Sequence, residues 1–159
     1  MAKPVKTAAT PKKRRRLFKQ YAALPYIVRD GALLVMLVTS RETKRWVLPK
    51  GWPERKMKSH QVATQEAYEE AGLIGESALK PYAAFNYFKR LSETRQKRCH
   101  VEVFLFAVHR ELSDWPEKRE RKRRWMTPEQ AARSVAEVGL RKLLRGLRLE
   151  APGSSPSRG

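Results

Sequence analysis

Glu66, Glu69 and Glu70 stand at i, i+3 and i+4, and Gly72 follows the last of them by two residues. In a helix this spacing gathers three carboxylates on one face. The arrangement is costly. Like charges so placed repel by roughly 0.2–0.5 kcal/mol per pair. Glu69 and Glu70 fall in the last turn, where the helix dipole disfavours anions. No cation is near in the sequence: from Ser59 to Leu79 there is no Lys or Arg, although the chain holds 35 of them. A solvated helix face normally mixes its signs, whereas a bound cation relieves all three penalties. The pattern predicts a divalent metal site at Glu66, Glu69 and Glu70.

Composition sets what surrounds such a site. At 159 residues the chain is long enough for one domain with a real core. Its net charge of +19 implies an anionic partner. Eight basic residues and no acid fall within residues 1–20, including the run Lys12-Lys13-Arg14-Arg15-Arg16. This tail is a candidate nucleic-acid arm, and a plain solubilising tail is the competing reading. A second basic cluster spans Lys118 to Arg124. The single cysteine, Cys99, excludes an internal disulfide and a Cys-rich zinc site, and fits a reducing, cytoplasmic location. His60, His100 and His109 lack zinc-ligand spacing and read as structural. No apolar run approaches the ~18–20 residues of a membrane span, so no membrane partner is expected.

The chain must position the Glu face with alternating strands and helices. Residues 1–19 read as a disordered basic tail, 20–149 as the folded domain and 150–159 as a flexible tail. Strands are expected at Ala22–Val28, at the apolar run Ala32–Thr39, and at Trp46–Leu48, which stops at Pro49; Lys50-Gly51 opens a loop. Ser59 is a plausible N-cap for a helix reaching Ala71, with Gly72 at C′. Leu79–Phe88 and Cys99–Val108 read as strands joined by a basic connection, Lys89–Arg98. A loop over Asp114–Arg124 leads to Thr127, capping a helix that starts with Pro128, and an amphipathic helix covers about Val135–Leu149.

A Gly-containing loop, a helix with a Glu triplet and a Gly stop together resemble the Nudix box, G-x5-E-x7-R-E-U-x-E-E-x-G-U. Its first glycine falls on Gly51, the triplet on Glu66, Glu69 and Glu70, and the closing pair on Gly72 and Leu73. Arg45–Trp52 (RWVLPKGW) and Arg123–Ala131 (RRWMTPEQA), with Trp115-Pro116 before them, are similar to the diphosphoinositol-polyphosphate and diadenosine-polyphosphate branch. Two positions depart from the pattern: Met57 stands for the box's first Glu and Gln65 for its Arg. Both members of a potential ion pair are gone, so neither strands the other as a lone, partly buried charge.

The resemblance implies an α/β fold, a Nudix-type α/β/α sandwich around a mixed β-sheet. It also implies a metal-dependent hydrolase of phosphoanhydride bonds. Hard oxygen ligands suit Mg²⁺ or Mn²⁺, with Glu66 and Glu70 as the first ligands and Glu69 next, and the resemblance leaves open which of the three could serve as base instead. Glu102, Glu117 and Glu120 are candidates for a further acid. Arg41, Arg45, Lys50 and Gly51 are placed for phosphate binding, which Lys89, Arg90 and Lys118–Arg124 could extend. Trp52 is either a stacking ring or a loop anchor. The expected substrate is an anionic, highly phosphorylated small molecule such as an inositol pyrophosphate or dinucleoside polyphosphate. A Nudix-fold RNA-binding module and an RNA 5′-pyrophosphohydrolase are the alternatives.

Overall fold

The computed structural model describes residues 16–149. The expectations for the two tails therefore lie outside the described residues, save that strand β1 (Phe18–Arg29) begins four positions before the expected Ala22. Among the described residues, eight strands form one mixed sheet. β2 (Ala32–Thr39) pairs antiparallel with β1 through the Asp30-Gly31 turn. β3 (Trp46–Val47) continues along β2, and β4 (Lys50–Gly51) crosses to β1. The expected loop at Lys50-Gly51 is thus a short strand, because the chain leaving Pro49 runs beside the open edge of β1.

Helix α1 (Ser59–Ala71) then packs on the sheet. Lys58, not Ser59, occupies its N-cap, and the Gln61 side chain accepts from the Lys58 N–H at 2.7 Å. Its far end is as expected: Gly72 takes φ 66°, a left-handed conformation that suits glycine. Two strands went unforeseen. β5 (Leu73–Ser77) pairs with the second half of β7 (Gln96–Glu111), and β8 (Arg123–Met126) pairs with β2. The expected Leu79–Phe88 strand is β6 (Ala83–Arg90), paired with the first half of β7. The β6–β7 hairpin is therefore tighter than the Lys89–Arg98 connection suggested. β1 and β7 run parallel at the centre, which makes the sheet mixed.

Two helices cover the other sheet face. Thr127 caps α2 (Pro128–Ser134) by accepting from the Gln130 N–H at 3.1 Å, while Gln130 Oε1 accepts from the Thr127 N–H. α3 spans Val138–Arg145, shorter than expected: Val135 instead takes an extended conformation and bridges to Trp46. Alternation along the strands divides the core in two. Ala22, Leu24, Val35, Leu37, Val101 and Val103 face α2 and α3. Ala23, Met36, Val38, Phe104 and Phe106 face α1, which meets them through Ala63, Ala67 and Ala71. No described helix is long and apolar enough to cross a membrane.

Small residues let α1 lie close to β1, with Ala23, Ala63 and Ala67 all fully buried. Ala23→Leu should overpack this seam and cost about 1–3 kcal/mol, read as a lower urea midpoint with an unchanged m-value.

Candidate active site

The close approach of α1 brings Glu66 against Gly51. A Cβ on Gly51 would stand 2.6 Å from Glu66 Cδ, so only glycine leaves room for this carboxylate. One turn on, Glu70 is buried, and its Oε1 accepts from the Lys50 N–H at 3.3 Å. Glu66 and Glu70 come close enough to share a proton. Burial, the nearby Glu70 and its hydrogen bond push the Glu66 carboxyl up to about 9. Glu70 is also raised by burial, against the opposing pull of Arg121, Glu66 and Lys50. Glu69 lies at the edge of this pair and accepts from Gln65 Nε2 at 2.9 Å.

The carboxylates are not without a partner, contrary to the reading of an isolated acidic island. Arg121 reaches in from the segment after β7, and its side chain is only 8% exposed. Its Nη2 lies 3.4 Å from Glu70 Oε2, its Nε donates to Glu117 Oε1 at 2.6 Å, and its Nη1 donates to the Thr39 carbonyl at 3.1 Å. Sequence proximity could not show this contact, because 51 positions separate Glu70 from Arg121. The one local hint was the Glu117–Arg121 spacing at i, i+4 within a mostly basic run.

The same segment satisfies the end of α1. A helix leaves its last four carbonyls without internal donors. Here Tyr68 O accepts from the Gly72 N–H, Glu69 O from the Glu117 N–H at 3.1 Å, and Glu70 O from Trp115 Nε1 at 3.1 Å. Arg123 Nη1 donates to Ala71 O at 2.7 Å. The Arg123 guanidinium sits 4.0 Å from the Trp115 ring centroid, and that ring lies against Gly72. A cation thus stands at the negative end of the dipole, where two glutamates alone would be unfavourable.

Of the other proposed site residues, Lys50 is brought to the cluster. It is only partly accessible; burial lowers its ammonium pKa, and Glu70 opposes the shift. Arg41 instead pairs at 3.3 Å with Glu120 in an exposed contact. Arg45 closes a turn through its backbone to Ser40, and the structure gives its side chain no contact with the glutamates. Glu117 joins the cluster through Arg121, whereas Glu102 lies on β7 opposite Tyr21. Histidine reading stands for His100, whose Nδ1 bonds Asn86 Oδ1 at 2.7 Å.

Among the described residues, no three acidic, histidine or cysteine side chains converge as a ready-made cage. The donor set nonetheless fits a hard divalent cation that keeps several waters. Its chemistry is all oxygen, and burial together with the neighbouring carboxyl group raises the pKa of both Glu66 and Glu70, a strain that a cation would relieve.

Comparison with known proteins agrees with this geometry. A family model described as NUDIX domain matches residues 19–147. The chain belongs to the Nudix family. Nudix hydrolase 12, mitochondrial, of Arabidopsis thaliana is 33% identical over 102 residues, covering 62% of this chain and 50% of that protein. Diphosphoinositol polyphosphate phosphohydrolase 3-alpha of Mus musculus is 33% identical over 105 residues, covering 64% of this chain and 58% of that one. The chain spans about half the length of the curated relatives it matches. An Ap4A hydrolase binary complex from C. elegans shares the fold with TM-score 0.61 at 18% identity, over 81% of this chain and 93% of that chain.

The two departures from the Nudix box are visible in place. Gln65 hydrogen-bonds Glu69, and Met57 sits in a turn closed by its own N–H to Glu54 O at 3.2 Å. Without metal, a folded-state carboxyl pKa near 9 for Glu66 lies far above its unfolded value of about 4.3. The unfolded state loses that proton first, so this residue destabilises the fold increasingly between those two values. Glu66→Gln should therefore raise Tm in EDTA near pH 8 and change it little near about pH 4, as followed by thermal melts.

Proposed function

We propose that this Nudix domain hydrolyses a phosphoanhydride bond in a highly phosphorylated small molecule, with Mg²⁺ or Mn²⁺ as cofactor. The observation that carries this reading is the Glu66–Glu70 pair, a half-buried and a buried carboxyl group one helical turn apart, packed against Gly51 and the Lys50 backbone. Glu66 and Glu70 would hold the cation, with Glu69 at its margin. When bound, such an ion offsets phosphate charge and lowers the pKa of a coordinated water.

The chain's own residues supply the remaining functions. Arg121 fixes the Glu70 carboxylate and screens Glu117 behind it. Gly51 keeps Glu66 in place by leaving it space. Lys50 donates its backbone N–H to Glu70 and so holds the entrance strand against the cluster. Arg41 can leave its exposed Glu120 contact for an incoming phosphate, since such a pair holds weakly. Arg45 borders the same strand entrance. Glu69, tied only to a neutral amide, is the carboxylate free to accept a proton from water.

Inositol pyrophosphates and dinucleoside polyphosphates are the substrate classes we favour. The net charge of +19 and the names of a mouse relative and a nematode structural neighbour support them. A reducing compartment such as the cytoplasm belongs to this reading through the free, buried Cys99; several relatives are named mitochondrial.

A phosphate-release screen over inositol pyrophosphates, dinucleoside polyphosphates and nucleotide sugars, with Mg²⁺ and with Mn²⁺, tests the assignment. Glu70→Gln should lower kcat by at least about 100-fold, because it removes a carboxylate that would hold the cation. Glu69→Gln should cost less. Turnover of the Glu70 variant at the wild-type rate would remove Glu70 from the site.

A further inference from the structure

The sheet face that carries α2 and α3 extends beyond those helices, and its uncovered end is built of alternating rings and cations. Lys97 of β7 places its Nζ 4.6 Å from the Phe18 ring centroid and 5.0 Å from that of Trp52. The Arg16 guanidinium lies 5.0 Å from the Phe18 ring centroid. Lys50 Nζ stands 5.3 Å from the Tyr87 centroid. Register puts these residues on one face: Phe18 and Tyr87 both lie opposite Cys99, Lys89 lies opposite Lys97, and Lys50 lies opposite Ala22.

Glu137 lies near the Lys50–Tyr87 end of this strip, while cations dominate at Lys89 and Lys97. Lys89 and Lys97 face each other directly across two strands, a like-charge pair that weakens a sheet. The structure gives neither of them a salt bridge, while acids elsewhere pair with Arg121, Arg133 and Arg145. The rings are not fully sealed: Trp52 remains 38% exposed and Phe18 half-buried. Such a face gains from a ligand that brings both negative charge and flat aromatic surfaces at regular intervals. A small polyphosphate brings only the first. The strip also leads in sequence into the run ending at Arg16, and it lies on the sheet face opposite the one that α1 and its glutamates cover.

We propose that Arg16, Phe18, Lys97, Trp52 and Lys89 form a binding strip for single-stranded nucleic acid, with bases stacking on Phe18 and Trp52 and phosphates meeting the cations. This binding does not depend on turnover. Base–aromatic stacking with a cationic groove is the general solution for strands read without sequence preference, and phosphate neutralisation makes it salt-dependent.

The test uses the full chain in EDTA, with a fluorescent oligouridine of about twelve nucleotides and an abasic strand of equal length and charge. Anisotropy should show the abasic strand binding at least about tenfold more weakly. Lys97→Glu with Trp52→Ala should weaken oligouridine binding about tenfold and flatten its salt dependence by roughly one phosphate per cation removed. Lys142→Glu, the same charge change on exposed α3, should alter affinity by less than about twofold. Lys97→Glu alone, at a partly exposed position, gives a smaller loss in the same direction should the double variant melt early. Equal affinity for the abasic strand, an equal loss from Lys142→Glu, or unchanged binding by the strip variants would each overturn the proposal.

Discussion

Taking a carboxylate out of water costs several kcal/mol unless the protein replaces the lost solvation. Helix α1 does this with Glu70 and holds Glu66 one turn away, so the site is defined by the scarcity of compensating charge. Arg121 supplies part of it from the segment after β7, but it also serves Glu117 and the Thr39 carbonyl. One guanidinium spread over two carboxylates and a carbonyl leaves Glu66 uncompensated. Its carboxyl pKa is raised in consequence, and the proposed divalent cation would supply the missing compensation.

The segment between β7 and β8 ties the fold to this chemistry. It caps three of the last four carbonyls of α1 through Glu117, Trp115 and Arg123, and delivers Arg121 in the same stretch. Glycine at position 72 is needed twice over, for its positive φ and for the Trp115 ring that occupies the place of a side chain. Helix termination and charge placement are therefore one structural event. This also explains how acids are tolerated in the last turn of α1: Arg123 stands at the dipole's negative end, where cations are favoured.

Local chemistry was the legible part of the sequence. The Glu66–Glu70 spacing, the Gly72 stop, the apolar run of β2 and the Thr127-Pro128 helix start depend on neighbours in the chain, and each is found in place. The Nudix fold followed from the same residues, as the family match over residues 19–147 bears out. What escaped depends on tertiary partners. β5 contains Gly75 at a register shift, and β8 is only four residues long and opens with two arginines, so neither carries strand periodicity; they exist because β7 and β2 offer edges. Lys58 took the N-cap in place of Ser59 because Gln61 satisfies its backbone from within the helix. Arg121 was hidden in a run of cations whose members look alike until the sheet selects one. The same holds for Lys97, whose role as a bridge between Phe18 and Trp52 exists only once β1, β4 and β7 are side by side.

The account centres on a cation displacing the proton shared by Glu66 and Glu70. Calorimetric titration of the substrate-free protein with Mn²⁺ at about pH 7, repeated in two buffers of different ionisation enthalpy, counts the protons released. The account predicts release of about one proton per bound ion, falling toward zero in Glu66→Gln. Binding of Mn²⁺ with no proton release, or identical release by that variant, would contradict it.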